Sequence, residues 1–408
     1  MCAIGIVIVI VLTVLPEVFT QIKANSNVIS ENLTILVNEG VAHDRQGNYT
    51  GVILSFDKAL VINPKNITAL TGKGGVLDEL GNYTGAILYL DKALTLNPND
   101  VDAINNKGTA LDNLGNHTGA IEYYDKALSI NPHYVLALNN KGWALNSLRN
   151  YTGAIEYYDK ALAVDPHYFN SLYNKGLALD ELGNHSGAIQ YYDKALAINP
   201  HSVNALTNKG VALYDLGKYH DAIVSYDKAL TLNPNDVDAI NNKANALGKL
   251  GKSLEAIQYY QRAIKLIQSN QTSRLAFTPT KSLYVFVSEN DGSNIQTVDS
   301  GDNGQNQTKI IIMNMSIAER YKSINDYQAA IVIYTDILHV NPYYGCALLG
   351  RADAYEKIAP PQLDNAGRDE KLGNMLKPTC NTGGTNFLKP ADLGQSIASF
   401  ASKLNVFQ

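Results

Sequence analysis

Asparagine is the residue type whose spacing in this chain could do chemistry. Asn106, Asn140, Asn174, Asn208 and Asn242 stand 34 residues apart, and a lysine follows each: Lys107, Lys141, Lys175, Lys209 and Lys243. A primary amide carries both donor and acceptor, so a row of them can pair with an extended peptide backbone whatever its side chains. The adjoining lysines would favour an acidic peptide or a carboxyl terminus. Trp143, the only tryptophan, follows the fourth repeat's glycine and reads either as an anchor for a bound segment or as a residue packed against the next helix.

A second asparagine set lies at turns. Ten N-x-S/T sequons occur, and Asn48, Asn82, Asn116, Asn150 and Asn184 fall at the same place in successive repeats. These are acceptors for N-linked sugar if the chain is exported. A second reading is structural, because Thr50, Thr84, Thr118, Thr152 and Ser186 stand where a helix begins and a hydroxyl there can cap free N–H groups.

No catalytic constellation emerges. Five of the eight histidines sit in Asn-Pro-His or Asp-Pro-His turns (His133, His201, His167) or at other turns (His117, His185), and copies one repeat apart are too distant to chelate one metal. Phosphate-binding loops, zinc-protease helices and nucleophile elbows are absent from the sequence, so neither a metal nor a cofactor is expected. The recurring Asp-Lys pair, as in Asp125-Lys126, reads as a solvated helix face. A net charge of -5 without a long basic run gives no support to nucleic-acid binding. Cys2, Cys346 and Cys380 are the only cysteines. The last two could pair in an oxidising compartment, while the preferred reading is two unrelated thiols with Cys346 packed in a helix.

The elements that position these residues follow from one period. Pro64, Pro98, Pro132, Pro166, Pro200 and Pro234 are each 34 residues from the next, which marks a solenoid of stacked units. Within Val101 to Tyr134, Ile104, Gly108 and Leu111 form one helical stripe. Gly115-Asn116 signals a turn, and Ala120, Ile121, Tyr124, Ala127 and Leu128 form a second stripe before Asn131-Pro132 stops it. The unit is helix, turn, helix. Gly40, Gly74, Gly108, Gly142, Gly176 and Gly210 fall mid-helix, each at a cost of roughly 1 kcal/mol, for which close helix approach is the expected compensation.

Leu138, Gly142, Leu145, Ala154, Tyr158, Ala161 and Pro166, with their equivalents in neighbouring copies, carry a family resemblance. The array resembles the tetratricopeptide repeat, in a style similar to prokaryotic and archaeal arrays. Seven contiguous copies span 33 to 270. The first is degenerate at His43 and Val52, and the seventh has Gln268 for proline. An eighth copy returns at 311 to 344, with Tyr321, Ala330, Tyr334 and Pro342, and 345 to 358 looks like the first helix of a ninth. The resemblance implies an all-α, right-handed superhelix whose first helices line a concave surface. The asparagine column is similar to the ladder in the repeat region of O-linked N-acetylglucosamine transferases, where amides grip a peptide. Gly72 breaks the column, and the chain has no room for the transferase domain.

Outside the array, residues 1 to 24 hold the apolar run AIGIVIVIVLTVL. It is too short for an ordinary spanning helix and suits a secretory signal or a membrane anchor. Residues 271 to 310 read as an insertion with a possible β-hairpin, since LYVFVS and IQTV flank ENDGSN. Residues 359 to 408 form a tail, with 391 to 404 as a capping helix. The expected function is a non-catalytic scaffold, exported or membrane-anchored, that binds a protein or peptide. The rival is an intracellular or inner-face assembly factor with the same groove and no sugar. An enzyme with its site in the insertion or tail is the third class. Oligomeric state is not fixed by the sequence.

Overall fold

The computed structural model describes residues 31–43, 47–275, 302–341, 344–358 and 363–375. Among these every regular element is a helix, and the chain divides into two compact units, 1–199 and 200–408.

The first unit contains a helix over 31–43 (α1), then α2 (Tyr49–Ile62), α3 (Ile67–Glu79), α4 (Tyr83–Leu96), α5 (Val101–Asn113), α6 (His117–Ile130), α7 (Val135–Ser147), α8 (Tyr151–Val164), α9 (Phe169–Glu181) and α10 (His185–Ile198). The helices pair as antiparallel hairpins, and each hairpin also packs on the next through its second helix. The second unit contains α11 (Val203–Asp215), α12 (Tyr219–Leu232), α13 (Val237–Lys249), α14 (Ser253–Leu275), α15 (Asp302–Ser323), α16 (Tyr327–Val340), α17 (Gly345–Lys357) and α18 (Leu363–Met375), stacked in the same sequential way.

A glycine–aromatic contact closes the hairpins. A Cβ placed on Gly142 would lie 2.6 Å from Cε1 of Tyr158, and one on Gly108 would lie 2.6 Å from Cε1 of Tyr124. The rings are fully buried beside alanines such as Ala154 and Ala161, so they cannot yield space. Close approach within the hairpin therefore offsets the helix-propensity cost of the glycines.

Asparagine sets two helix ends in four of the first unit's five hairpins, Asp165 replacing it after α8. Asn131 stops α6, and its Oδ1 accepts the N–H of His133 at 3.1 Å, fixing the turn before Pro132 is passed. Asn82, Asn116, Asn150 and Asn184 start the second helices, each Oδ1 accepting an N–H from a glycine three residues on at 3.0 Å. Asn48 does the same for Gly51. The expectation that Ser/Thr hydroxyls cap these helices is thus corrected. The asparagine one residue before the helix holds the cap geometry, and the hydroxyl two residues later faces outward.

The stretch 271 to 310 is helical at both ends, since α14 reaches Leu275 and α15 begins at Asp302. Ile310, Met313 and Ile317 of α15 pack into one core with Ile240 and Leu247 of α13 and Ile257 and Tyr260 of α14. Burial of that apolar face extends the helix beyond the repeat motif. The expected hairpin and the residues between 276 and 301 lie outside the described residues, as do 1 to 30 and the expected capping helix at 391 to 404. The tail instead opens with α18, which packs on α17 and completes a ninth hairpin. Arg351 binds both carboxylate oxygens of the buried Asp369 there, at 2.6 and 3.1 Å. Cys346 in α17 is disulfide-bonded, which corrects its reading as an unrelated thiol.

Candidate functional site

The lysines beside the asparagine column do not project freely. Lys73, Lys141 and Lys175 each donate to an aspartate sixteen residues earlier (Asp57, Asp125, Asp159) and to a tyrosine hydroxyl sixteen residues later (Tyr89, Tyr157, Tyr191). Lys243 repeats the rung in the second unit with Asp227 at 2.5 Å and Tyr259 at 2.7 Å. Lys107 pairs with Asp91 at 2.5 Å, and its Nζ lies over the ring of Tyr123 at 4.6 Å. Each rung ties a first helix to the second helices before and after it. These five lysine side chains are only 9 to 13% exposed, while the aspartates are about half exposed. Burial alone would lower the lysines, but the hydrogen bonds from aspartate and tyrosine more than offset it and leave all five above the usual lysine value. The Asp-Lys pair is exposed, as its reading as a solvated face has it, and its aspartate is in addition a partner in the stack.

The asparagines likewise bind one another. Asn174 Nδ2 donates to Asn139 Oδ1 at 3.2 Å, and the Ser171 hydroxyl donates to the same oxygen at 3.1 Å. Asn140 Nδ2 reaches Asn105 Oδ1 at 3.3 Å and Thr109 Oγ1 at 3.4 Å, while Asn139 Nδ2 donates to Asn140 Oδ1 at 3.2 Å. Asn105 Nδ2 donates to Asn106 Oδ1 at 3.4 Å. Asn105 and Asn106 of α5, Asn139 and Asn140 of α7 and Asn174 of α9 thus make an amide seam. Asn174, Lys141 and Lys175 are buried. Asn208 and Lys209, on α11, and Asn242, on α13, belong to the second unit. What a ligand can reach in the first unit is narrower than the sequence column suggests.

The exposed exception is α7. Leu136 and Trp143 are each 42% exposed, with the half-buried Asn140 between them and the exposed Ser147 beyond. Their spacing of seven residues puts them on one face, about 10.5 Å apart along the axis. The places equivalent to Leu136 hold Thr68, Asp102 and Asn170 in the first unit, so paired large apolar side chains distinguish α7 there. Sequence reasoning singled out Trp143 and missed Leu136; its apolar departure from an otherwise polar column was the available signal.

Three local costs gather around that helix. The residue two beyond the rung lysine can face the buried tyrosine hydroxyl: in α13, Asn245 accepts from Tyr260 at 2.6 Å. Trp143 occupies this place in α7, and the Tyr158 hydroxyl, fully buried, has no partner among the described residues. Asn146 Oδ1 has none either. Arg149 takes φ +61° in the turn where Gly81, Gly115 and Gly183 lie between +76° and +82°, the left-handed region that a side chain disfavours.

The remaining titratable residues make local pairs. His117 Nδ1 lies 2.6 Å from Asp112 Oδ1, and His185 Nδ1 lies 2.7 Å from Asp180 Oδ1. Burial raises Asp112 above the usual carboxylate value, partly opposed by its bond to His117. Among the described residues no cluster of three or more histidine, cysteine or acidic side chains could hold a metal, and no helix is long and apolar enough to cross a membrane.

Family models described as tetratricopeptide repeat match residues 67–100, 101–134, 139–203, 203–236 and 225–258. No curated protein matches the chain. Among solved structures, MamA protein is 26% identical over 42% of this chain and 94% of its own, with a TM-score of 0.37. PilW, a widely conserved type IV pilus biogenesis factor, is 21% identical over 51% of this chain and 96% of its own, TM-score 0.47. A tetratricopeptide repeat protein from Parabacteroides merdae is 18% identical over 58% and 93%, TM-score 0.46.

Proposed function

We propose, from the premise that this is a tetratricopeptide-repeat chain, that it is a non-catalytic interaction scaffold binding an extended peptide across the first helices of its first unit. The fold is of the kind that serves protein–protein interaction. α7 is the anchor, and the observation that carries this reading is the exposure of Leu136 and Trp143 on either side of Asn140. Apolar side chains of the ligand dock on these two residues, and the amide seam offers polar edges between them. The unpaired Asn146 oxygen and the strained Arg149 support it, because packing alone does not require both departures from the repeat's own rules in one hairpin; the unpaired hydroxyl of Tyr158 recurs at Tyr192 and adds nothing specific to α7. The Asp–Lys–Tyr rungs hold the helices in register, so the face is preorganised.

The scaffold works outside the cell or at a membrane surface. The apolar run at residues 3 to 15 supports export or anchoring, and a disulfide at Cys346 suits an oxidising compartment. Because Trp143 is the only tryptophan, its emission reports the site directly. Dodecapeptides selected from a random display library on the purified chain should blue-shift or quench that emission on titration. Selected peptides that bind without altering it would remove α7 from the reading.

A further inference from the structure

We propose that the turn edge of the first unit is a modification site, carrying N-linked sugar on Asn82, Asn116, Asn150 and Asn184. The inference rests on the exported reading above. Each of these side chains uses only its carbonyl oxygen in the fold, as the cap accepting a glycine N–H at 3.0 Å. Their Nδ2 atoms make no hydrogen bond among the described residues, and all four residues are exposed. Substitution on nitrogen therefore leaves the cap intact.

Capping accounts for a polar residue at this place but not for the sequon. Asp326 caps α16 equally well, accepting from Ala329 at 3.0 Å, and its second following residue is Gln328. Lys218 and Lys252 hold the corresponding place before α12 and α14, followed by His220 and Leu254. In the first unit the hydroxyl recurs as Thr84, Thr118, Thr152 and Ser186, changing residue type at the last while keeping the group. Those of Thr118, Thr152 and Ser186 make no hydrogen bond among the described residues, and that of Thr84 only reaches Asn82 Oδ1 at 3.5 Å. The exposed hydroxyl thus lacks a role in the fold, whereas sugar transfer to asparagine requires it. Asn48 differs from the four, because its Nδ2 is engaged with His43 Nδ1 at 3.2 Å.

The reaction joins Nδ2 to the anomeric carbon of a sugar carried on a lipid-linked diphosphate. The sugar–phosphate bond breaks, the diphosphate leaves with the bonding electrons, and the amide gives up one proton to the transferase. Glycopeptide mass spectrometry of the full chain purified from its native cells tests this. The expected result is a sugar mass on the four asparagines, absent at position 82 in both T84A and Asn82→Asp, with the melting temperature of Asn82→Asp unchanged because aspartate still caps. Bare asparagines on chains that have lost their N-terminal segment or are reached by protease on intact cells would overturn the modification and leave export standing. Bare asparagines on chains sheltered inside the cell would overturn both.

Discussion

The hydroxyl of Tyr158 offers a test in which the same substitution has opposite signs in two repeats. Tyr158 and Tyr260 occupy equivalent places, and both rings are buried. Of the two only Tyr260 has a hydroxyl partner, Asn245 at 2.6 Å. Tyr260→Phe removes a made hydrogen bond and should cost about 1 kcal/mol. Tyr158→Phe removes a buried hydroxyl whose desolvation nothing offsets, and that penalty is about 1 to 3 kcal/mol. Since part of it is recovered by local relaxation, a gain of roughly 0.5 to 1.5 kcal/mol is expected. Trp143→Asn should give the hydroxyl the partner that Asn245 gives Tyr260. In that background Tyr158→Phe should change sign and cost about 1 kcal/mol, a coupling of about 1.5 to 2.5 kcal/mol in a double-mutant cycle. Urea unfolding of the four proteins, followed by far-ultraviolet circular dichroism, reads the differences. Equal losses for Tyr158→Phe and Tyr260→Phe, with no coupling to position 143, would refute the reasoning.

Three other outcomes follow from the packing. Gly142→Leu should destabilise by roughly 1 to 3 kcal/mol through overpacking against the Tyr158 ring, and an unchanged melting temperature would contradict the close approach. Arg149→Gly should stabilise by about 0.5 to 1 kcal/mol, because relief of a left-handed side chain, worth about 1 to 2 kcal/mol, exceeds the entropy glycine adds to the unfolded chain; lowered stability would show that Arg149 makes an interaction of greater worth. The rung lysines lie above their usual pKa when folded, so their stabilisation is complete below about pH 10.4 and lost as pH rises through the folded values. The buried tyrosines, pushed up by desolvation, act in the same direction. Melting temperature should therefore fall steeply above about pH 10, and Asp125→Asn should cost about 1 to 2 kcal/mol at neutral pH, discounted because that carboxylate is half exposed. A flat alkaline profile would argue against the rungs.

The period, the paired helices and the purpose of the glycines were legible because each depends on local pattern: 34-residue proline spacing, 3.6-residue stripes, and a glycine facing an aromatic in five of the first six copies. The rungs were harder to see, because Asp125, Lys141 and Tyr157 lie sixteen residues apart on three helices and only the stacked fold brings them together. Equal offsets between periodic charged and aromatic columns were the signal available. The asparagine column was visible, but not the direction of its amides, which depends on how closely successive first helices pack. The capping residue was misplaced by two positions because Ser, Thr and Asn are all good N-caps, and one turn of sequence does not say which begins the helix.

The central claim is that a ligand docks on Leu136 and Trp143. It is tested most directly by the affinity of one library-selected dodecapeptide for the wild-type chain, Leu136→Ser and Trp143→Thr, measured by calorimetry alongside Leu182→Ser, an exposed leucine at the turn after α9. The account predicts a loss of at least about tenfold for each α7 variant, the 1.4 kcal/mol or more expected of anchor residues, with Leu182→Ser unchanged. Wild-type affinity in both α7 variants, with the fold intact, would contradict it.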